Sequence, residues 1–354
     1  MKPVFHVITT INRGGAENQL LVLAREQIKL GLEVHIIYLK GEPELEIEFA
    51  HIGAKVNHAL ALKKLIFQPF ALRKVLRNSH PILHAHLPRA ELISFFTPAK
   101  FSLVVSRHNT EAFFPGSPKF ISNLLSRIVE LRSTRIIAIS EAVRNYLVNQ
   151  GEVSNPKKIE VVHYGYKPTN HQKARNLDSS KNFAKFGTIS RLTKQKDIPT
   201  LLSAFQIIQR DIPHASLSIV GSGSLDSELK ELCKKLGLNS SVHFLGRTSK
   251  VMEYLMGLDV FILTSTYEGF GLVLLEAMDA GIPVVASRNS AIPEVLGADF
   301  PGLCETGDYK EFSSKILKLL NPEFRFQILR LQEARLALFD AENMAKKVSS
   351  IYAT

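Results

Sequence analysis

The sequence predicts an α/β protein of two doubly wound domains facing one another across a cleft, and three observations support this. At 354 residues it is too long for one comfortable core and about right for two. Short β-type apolar runs alternate along its length with amphipathic helical stretches, the pattern of parallel strands joined by crossover helices. Near the middle, residues 166–181 are polar and unpatterned, as a linker would be. The expected division is a first domain at 1–170, a linker at 171–181 and a second domain at 182–340.

Hydrophobic content of 45% and charged content of 22% are those of a soluble globular protein. Cys233 and Cys304 form no disulfide or metal-binding pattern, so a reduced, cytoplasmic setting is expected. No apolar run approaches the ~20 residues of a spanning helix. The chain opens directly into a strand, and no signal peptide is expected. The net charge of +11 is concentrated early: residues 1–170 hold 22 Lys and Arg against 13 Glu and no Asp. Such a balance predicts an anionic partner for the first half. Nucleic acid is disfavoured, because no recognition motif accompanies the charge. Peripheral contact with anionic lipid on the inner face of the membrane fits better. The stretches 63–67 and 70–77 interleave basic with apolar residues, as membrane-surface segments do.

In the first domain, a strand at 4–9 leads through Gly14-Gly15-Ala16-Glu17 into a helix at 18–29, which Gly31 stops before a strand at 34–39. The glycines suit either a tight turn or close approach of a phosphate, without the G-x-G-x-x-G of a dinucleotide fold. Gly14 and Gly15 are therefore site candidates, with Glu17 a weaker one. Further strands are expected at 82–86, 103–106, 135–139 and 159–162, with helices at 121–132 and from the Ser140 N-cap to 148. His84-Ala85-His86 lies on a strand, its imidazoles expected on opposite faces, one packed and one near the strand end; a metal pair is not expected. His108 follows a strand end, where open α/β sheets place ligand groups, and is the histidine expected to do chemistry.

The second domain should open with a strand at 183–189 and a loop carrying Arg191 and Lys196, ahead of a helix at 199–209. Two cations at a strand's carboxyl end could neutralise a diphosphate, Arg by a forked contact and Lys as a point charge. A strand at 215–220 runs into Gly221-Ser222-Gly223 and a helix at 225–236. Strand and loop at 242–247 end on Arg247, and a short helix covers 252–256. The strand at 260–263 then enters Ser265-Thr266-Tyr267-Glu268-Gly269-Phe270-Gly271-Leu272, with Glu276 eight residues after Glu268, about two turns by helical spacing. Gly269 and Gly271 leave main-chain N–H groups uncovered where a helix begins, a setting that attracts anions. Amides for phosphate and carboxylates for hydroxyl groups suit a ligand that is both, and a nucleotide-sugar is the simplest. Gly281, Pro283 and a strand at 284–286 complete this unit, and helices at 323–339 and 341–352 close the chain.

Glu268 to Glu276 resembles the E-x7-E motif of retaining glycosyltransferases of family 4, which have the GT-B architecture. Residues 277–287, 292–295 and 302–308 are similar to that family's later landmarks, and Arg191 with Lys196 resembles its diphosphate-binding R-x4-K pair. The likeness covers most of the chain and is strongest over 183–308. It departs at Asp197, where glycine is common, and over 162–167, where Asn-Gly and Asp are frequent. The resemblance implies that Glu276 binds ribose hydroxyls and Glu268 the transferred sugar, while main chain at Phe270, Gly271 and Leu272 meets phosphate. It implies that Arg191 and Lys196 stabilise the leaving diphosphate, that His108 lies close to the transferred sugar, and that Gly14, Gly15, Gly221 and Arg247 border the donor. It further implies that the last helix, about 341–354, packs back on the first domain. With no Asp-x-Asp in the chain, no metal and no other cofactor is expected. The expected activity is metal-independent, retaining transfer from a UDP- or GDP-sugar to a lipid-linked or glycan acceptor of the cell envelope. The alternatives are a sugar-nucleotide epimerase or hydrolase of similar build, and a catalytically silent nucleotide-sugar-binding scaffold.

Overall fold

The computed structural model describes residues 2–76, 81–169 and 184–353. The linker expected at 171–181 lies outside the described residues, as do Arg77 and Phe183 at the ends of two stretches named above. The chain divides into two compact units, Met1–Lys167 with Phe339–Thr354, and Pro168–Leu338.

The first unit is a seven-stranded, wholly parallel sheet. In chain order its strands are β1 (Val4–Ile8), β2 (Val34–Tyr38), β3 (Lys55–Asn57), β4 (Ile82–His86), β5 (Ser102–Arg107), β6 (Arg135–Ala138) and β7 (Ile159–Val161). They lie in the order β3-β2-β1-β4-β5-β6-β7, so the order reverses between β1 and β4. Every residue of β1 and β4 is buried, as central strands covered on both faces must be. Helix α1 (Gly15–Lys29) begins three residues earlier than its apolar periodicity indicates, because Gly14 in extended conformation serves as its N-cap. Helix α5 spans Lys119–Arg132, and Ser140 Oγ accepts from Val143 N at 3.0 Å and caps α6 (Glu141–Asn149). The helix Ala341–Ile351 (α14) packs on α1 through Leu23, Met344, Ala345, Val348 and Ile351.

Two expectations for this unit need correction. Residues i and i+2 of a strand point to the same face, so His84 and His86 stand side by side, ring centroids 4.2 Å apart, not on opposite faces. The strand expected at 103–106 runs on to Arg107, which is buried between Glu91 and Glu152 at 2.9 and 3.2 Å as a core ion-pair residue. Residues 41–99, where few elements were expected, also carry α2 (Glu46–His51), α3 (Gln68–Val75) and α4 (Pro88–Phe96).

The second unit is a six-stranded parallel sheet of β8 (Lys185–Ile189), β9 (Ser216–Val220), β10 (Val242–Gly246), β11 (Val260–Leu263), β12 (Val284–Ser287) and β13 (Leu303–Cys304). Its order, β10-β9-β8-β11-β12-β13, repeats that of the first unit, with the reversal between β8 and β11. Crossover helices are α7 (Ile198–Asp211), α8 (Asp226–Lys235), α9 (Val251–Met256), α10 (Leu272–Asp279) and α11 (Ile292–Leu296), while α12 (Tyr309–Lys318) and α13 (Pro322–Leu336) follow the last strand. Because α10 starts only at Leu272, the two-turn helical spacing of Glu268 and Glu276 does not hold: Glu268 is on the loop and Glu276 on the helix.

Candidate functional site

In open α/β sheets, ligands bind beyond the carboxyl ends of strands where the order reverses. In the second unit that point lies between the loops after β8 and β11, and these loops are knit together. Thr266 N and Oγ1 both donate to Gln195 O, at 2.8 and 3.0 Å. Thr264 Oγ1 donates to Lys196 O at 2.9 Å, and Gln195 Nε2 donates to Tyr267 O at 2.9 Å. Within this frame Lys196 Nζ lies 2.5 Å from Glu268 Oε1. Ser265 Oγ donates to the same oxygen at 2.7 Å. One carboxylate oxygen thus takes both bonds, which turns Oε2 toward other donors. Arg191 Nη2 donates to Gln195 Oε1 at 3.2 Å, tethering the second cation to the same loop.

Two backbone features make this packing possible. Asp197 adopts φ +44°, the left-handed conformation that glycine favours, and accepts from Thr200 Oγ1 at 2.7 Å. The loop therefore takes a glycine-like turn with an aspartate in it. Gly221 is at φ +136°, and a Cβ there would fall 1.8 Å from Ser190 O. Its bareness lets the loop after β9 lie against the loop bearing Arg191. Arg247 follows β10, and its Nε donates to Ser222 Oγ at 2.8 Å.

Glu276 differs from every other carboxylate named so far. It is half-buried on α10 beyond Gly271, whose φ of +93° turns the chain into the helix. It has no hydrogen-bond or ion-pair partner among the described residues, and burial pushes its carboxyl up to about 7. Phe270 is buried and anchors the turn.

In the first unit, Gly14 precedes α1, and a Cβ on it would meet Glu17 Oε2 at 2.4 Å. Glu17 accepts from Thr10 Oγ1 at 2.8 Å, so the Gly14-Gly15 turn is braced by its own acid. His108 is not isolated. Its Nε2 meets His86 Nδ1 at 3.2 Å and its Nδ1 meets the Tyr164 hydroxyl at 2.5 Å. His86 Nε2 meets His6 Nδ1 at 3.0 Å, and His6 Nε2 meets Gln27 Oε1 at 2.8 Å. An amide oxygen only accepts, so His6 carries its proton on Nε2. Each neutral imidazole then accepts at Nδ1, and the row ends with the Tyr164 hydroxyl donating to His108. Neutrality follows from burial, which lowers His6 to about 4 and His108 to about 3, with the Arg107 charge adding to the latter.

His6, His84 and His86 bring ligand atoms within 4.8 Å of one another. All six ring nitrogens are nevertheless engaged, those of His84 by Tyr352 and Ser106, each at 2.7 Å. A metal would have to displace this network. The sequence signal for the cluster, histidines at i and i+2 on a central strand, was present and misassigned to two faces. Gly165 was not anticipated at all: a Cβ there would lie 2.6 Å from Ala341 Cα, and its N–H donates to Met344 Sδ at 2.9 Å.

Comparisons with known proteins bear on the family and the fold. Residues 13–169 match the family model described as Glycosyltransferase Family 4, and residues 170–333 match Glycosyl transferases group 1. The chain is 29% identical to an N-acetyl-alpha-D-glucosaminyl L-malate synthase of Bacillus anthracis, over 78% of this chain and 75% of that protein. It is 25% identical to the capsular polysaccharide biosynthesis glycosyltransferase CapM of Staphylococcus aureus, over 90% and 88%. Among solved structures, HepE of Anabaena in complex with UDP-glucose superposes with a TM-score of 0.82 at 20% identity, over 99% of each chain. TarM superposes with a TM-score of 0.83 at 15% identity, over 100% of this chain and 99% of that one. These likenesses give both units the Rossmann-like fold of GT-B enzymes. With the two family models together spanning nearly the whole chain, this protein belongs to the family 4 glycosyltransferases.

Proposed function

We propose that this glycosyltransferase moves a sugar, with retention of configuration and without a metal ion, from a UDP-sugar to a lipid-linked or glycan acceptor in cell-envelope synthesis. Glu276 carries the donor assignment. A carboxylate held half-buried with no partner among the described residues is unfavourable unless a ligand supplies donors, and a ribose diol supplies two. Glu268, with Oε1 engaged by Lys196 and Ser265, offers Oε2 to hydroxyls of the transferred sugar. The UDP and UDP-glucose complexes of HepE support UDP as the nucleotide. The capsular polysaccharide relatives support an envelope glycan product.

The chemistry assigned to these residues balances as follows. The bond from the sugar's anomeric carbon to the β-phosphate oxygen breaks, and its electron pair stays on the phosphate. The acceptor's hydroxyl or phosphate oxygen bonds to the same face of the anomeric carbon, and any proton it carries passes to the departing phosphate oxygen. Lys196 and Arg191 stabilise the charge that gathers on the diphosphate, the work a divalent ion does elsewhere. Lys196 has three N–H donors, so it can keep Glu268 while bonding phosphate. His108, with both nitrogens occupied and the imidazole neutral, acts as a wall beside the reacting sugar and not as its base.

The basic, apolar surface of the first unit supports peripheral contact with anionic membrane. Leu62, Ile66, Phe67 and Phe70 are 80%, 70%, 54% and 58% exposed, among the exposed bases Lys63, Lys64, Arg73 and Lys74. Equal sedimentation with neutral and acidic vesicles would remove that reading. For the donor, UDP is expected to raise the melting temperature more than GDP or ADP. Radiolabelled UDP-sugar with membrane extract should then pass label to lipid or glycan. Release of free sugar would favour a hydrolase, and label that stays bound to the protein would favour a silent binder.

A further inference from the structure

The first unit contains a second ligand-sized space that the donor chemistry does not use. It is a groove of about 910 Å³, walled by Ile66, Pro69 and Phe70 from the α3 region, by Leu92 and Phe96 of α4, and by Phe113 and Phe114. Its polar groups are few: Thr9 and Thr10 after β1, Asn109 after β5, and the cations Lys40 and Arg89.

Arg89 is the informative one. It sits in the first turn of α4, where the helix field favours anions and opposes cations. Its Nε is buried and has no hydrogen-bond partner among the described residues. The bond found for its Nη2 goes to the neutral amide oxygen of Gln68, at a long 3.4 Å. Gln68 is held in turn, donating to Leu39 O and Leu60 O at 2.8 and 3.0 Å, so it cannot swing to serve Arg89 better. Ahead of the same helix, Leu87 takes φ +73°, a strained backbone for a branched residue, on the wall of the groove. A guanidinium with no acid beside it among the described residues, at a helix start and inside an apolar trough, is complementary to an anion attached to a hydrocarbon chain.

We infer that this groove binds the acceptor as a long-chain lipid phosphate drawn from the membrane, with the hydrocarbon along the phenylalanines and the phosphate on Arg89 and Lys40. This rests on the transferase reading and narrows its acceptor from lipid-linked or glycan to lipid phosphate. A water-soluble glycan would find too few hydroxyl partners there, and a neutral lipid would leave Arg89 unsatisfied.

The test is direct titration of the full chain with farnesyl phosphate, with farnesol, which has the chain without the charge, and with inorganic phosphate, which has the charge without the chain. Farnesyl phosphate should bind at least about tenfold more tightly than either, the scale of one charge-assisted contact. Arg89→Gln should bring farnesyl phosphate to the level of farnesol and leave farnesol unchanged. Phe70→Ser, at an exposed position whose loss spares the core, should weaken both chains alike. Equal binding of farnesol and farnesyl phosphate, or unchanged farnesyl phosphate binding in Arg89→Gln, overturns the proposal. UDP titrated into the wild-type protein reports on the donor side separately. If UDP does not bind while farnesyl phosphate does, the UDP-sugar reading falls and the groove stands; the reverse result removes only the groove.

Discussion

The two units share one strand order yet treat the point where it reverses in opposite ways. Between β8 and β11 the loops bring up Lys196, Glu268 and Arg191, and α10 adds Glu276, which no group among the described residues satisfies. Between β1 and β4 the polar side chains of the strands themselves are used up. His6, His84 and His86 are buried, neutral and bonded at every nitrogen. The same topology thus yields a site that leaves part of its bonding capacity to a ligand and a core that spends all of it internally. Unsatisfied buried polarity, more than the position of a strand end, marks where a ligand belongs.

The contrast breaks most visibly through stability in the first unit. Arg107→Ala would leave Glu91 and Glu152 buried without their cation, and should lower unfolding free energy by about 3–5 kcal/mol, measured by urea titration. Acid should act on the same unit. The folded pKa of His6, about 4, lies below its ordinary 6.5, so the unfolded chain binds the proton more readily. Stability is then full above pH 6.5 and falls as pH drops toward 4, by about 3 kcal/mol from this residue. Unfolding followed from pH 7 to 4 should show that slope, and His6→Phe should reduce it by this share while His84, His86 and His108, also lowered by burial, keep the remainder.

In the second unit the same kind of change should alter chemistry and spare the fold. Lys196→Ala should reduce kcat by about 10²-fold, the scale of losing one group that stabilises transition-state charge. Normal turnover would remove Lys196 from the leaving group. Glu276→Gln should weaken UDP binding by about tenfold while leaving the melting temperature equal or higher, since an unpartnered half-buried carboxylate is relieved. Its pH dependence sharpens the point. Hydroxyl donors favour the charged form, so binding lowers a carboxyl that stands at about 7 in the free protein. UDP affinity should therefore be level above pH 7 and weaken below it, and Glu276→Gln should abolish that dependence. The smallest effect concerns metal: EDTA should leave turnover unchanged.

The alternation of strands and helices was legible because buried parallel strands are continuous apolar runs and crossover helices are amphipathic. Glu268, Arg191 and Lys196 stand out in the sequence because each lies on a loop that follows a strand and is rich in glycine or polar residues, and Glu276 stands out by its spacing from Glu268. Other features depend on contacts between distant segments. That Glu276 lacks a partner is a property of everything around it. Arg89 looks like any surface arginine until Gln68, committed to two carbonyls, is seen to be its poor neighbour. The histidine row required only the two-residue period of a strand, and the expected opposite faces were an error of that count. Asp197 shows the reverse case, a departure in residue type that preserves the backbone shape glycine would give.

One consequence follows from Phe339–Thr354 belonging with Met1–Lys167. As the chain leaves the ribosome, the unit whose strands are made first lacks the helix that covers Leu23 and receives the Gly165 N–H, while everything from Pro168 to Leu338 is already in place. The earlier-born half is therefore the later to be completed. A fragment meant to fold alone must splice Lys167 directly to Phe339 instead of stopping where the first sheet ends.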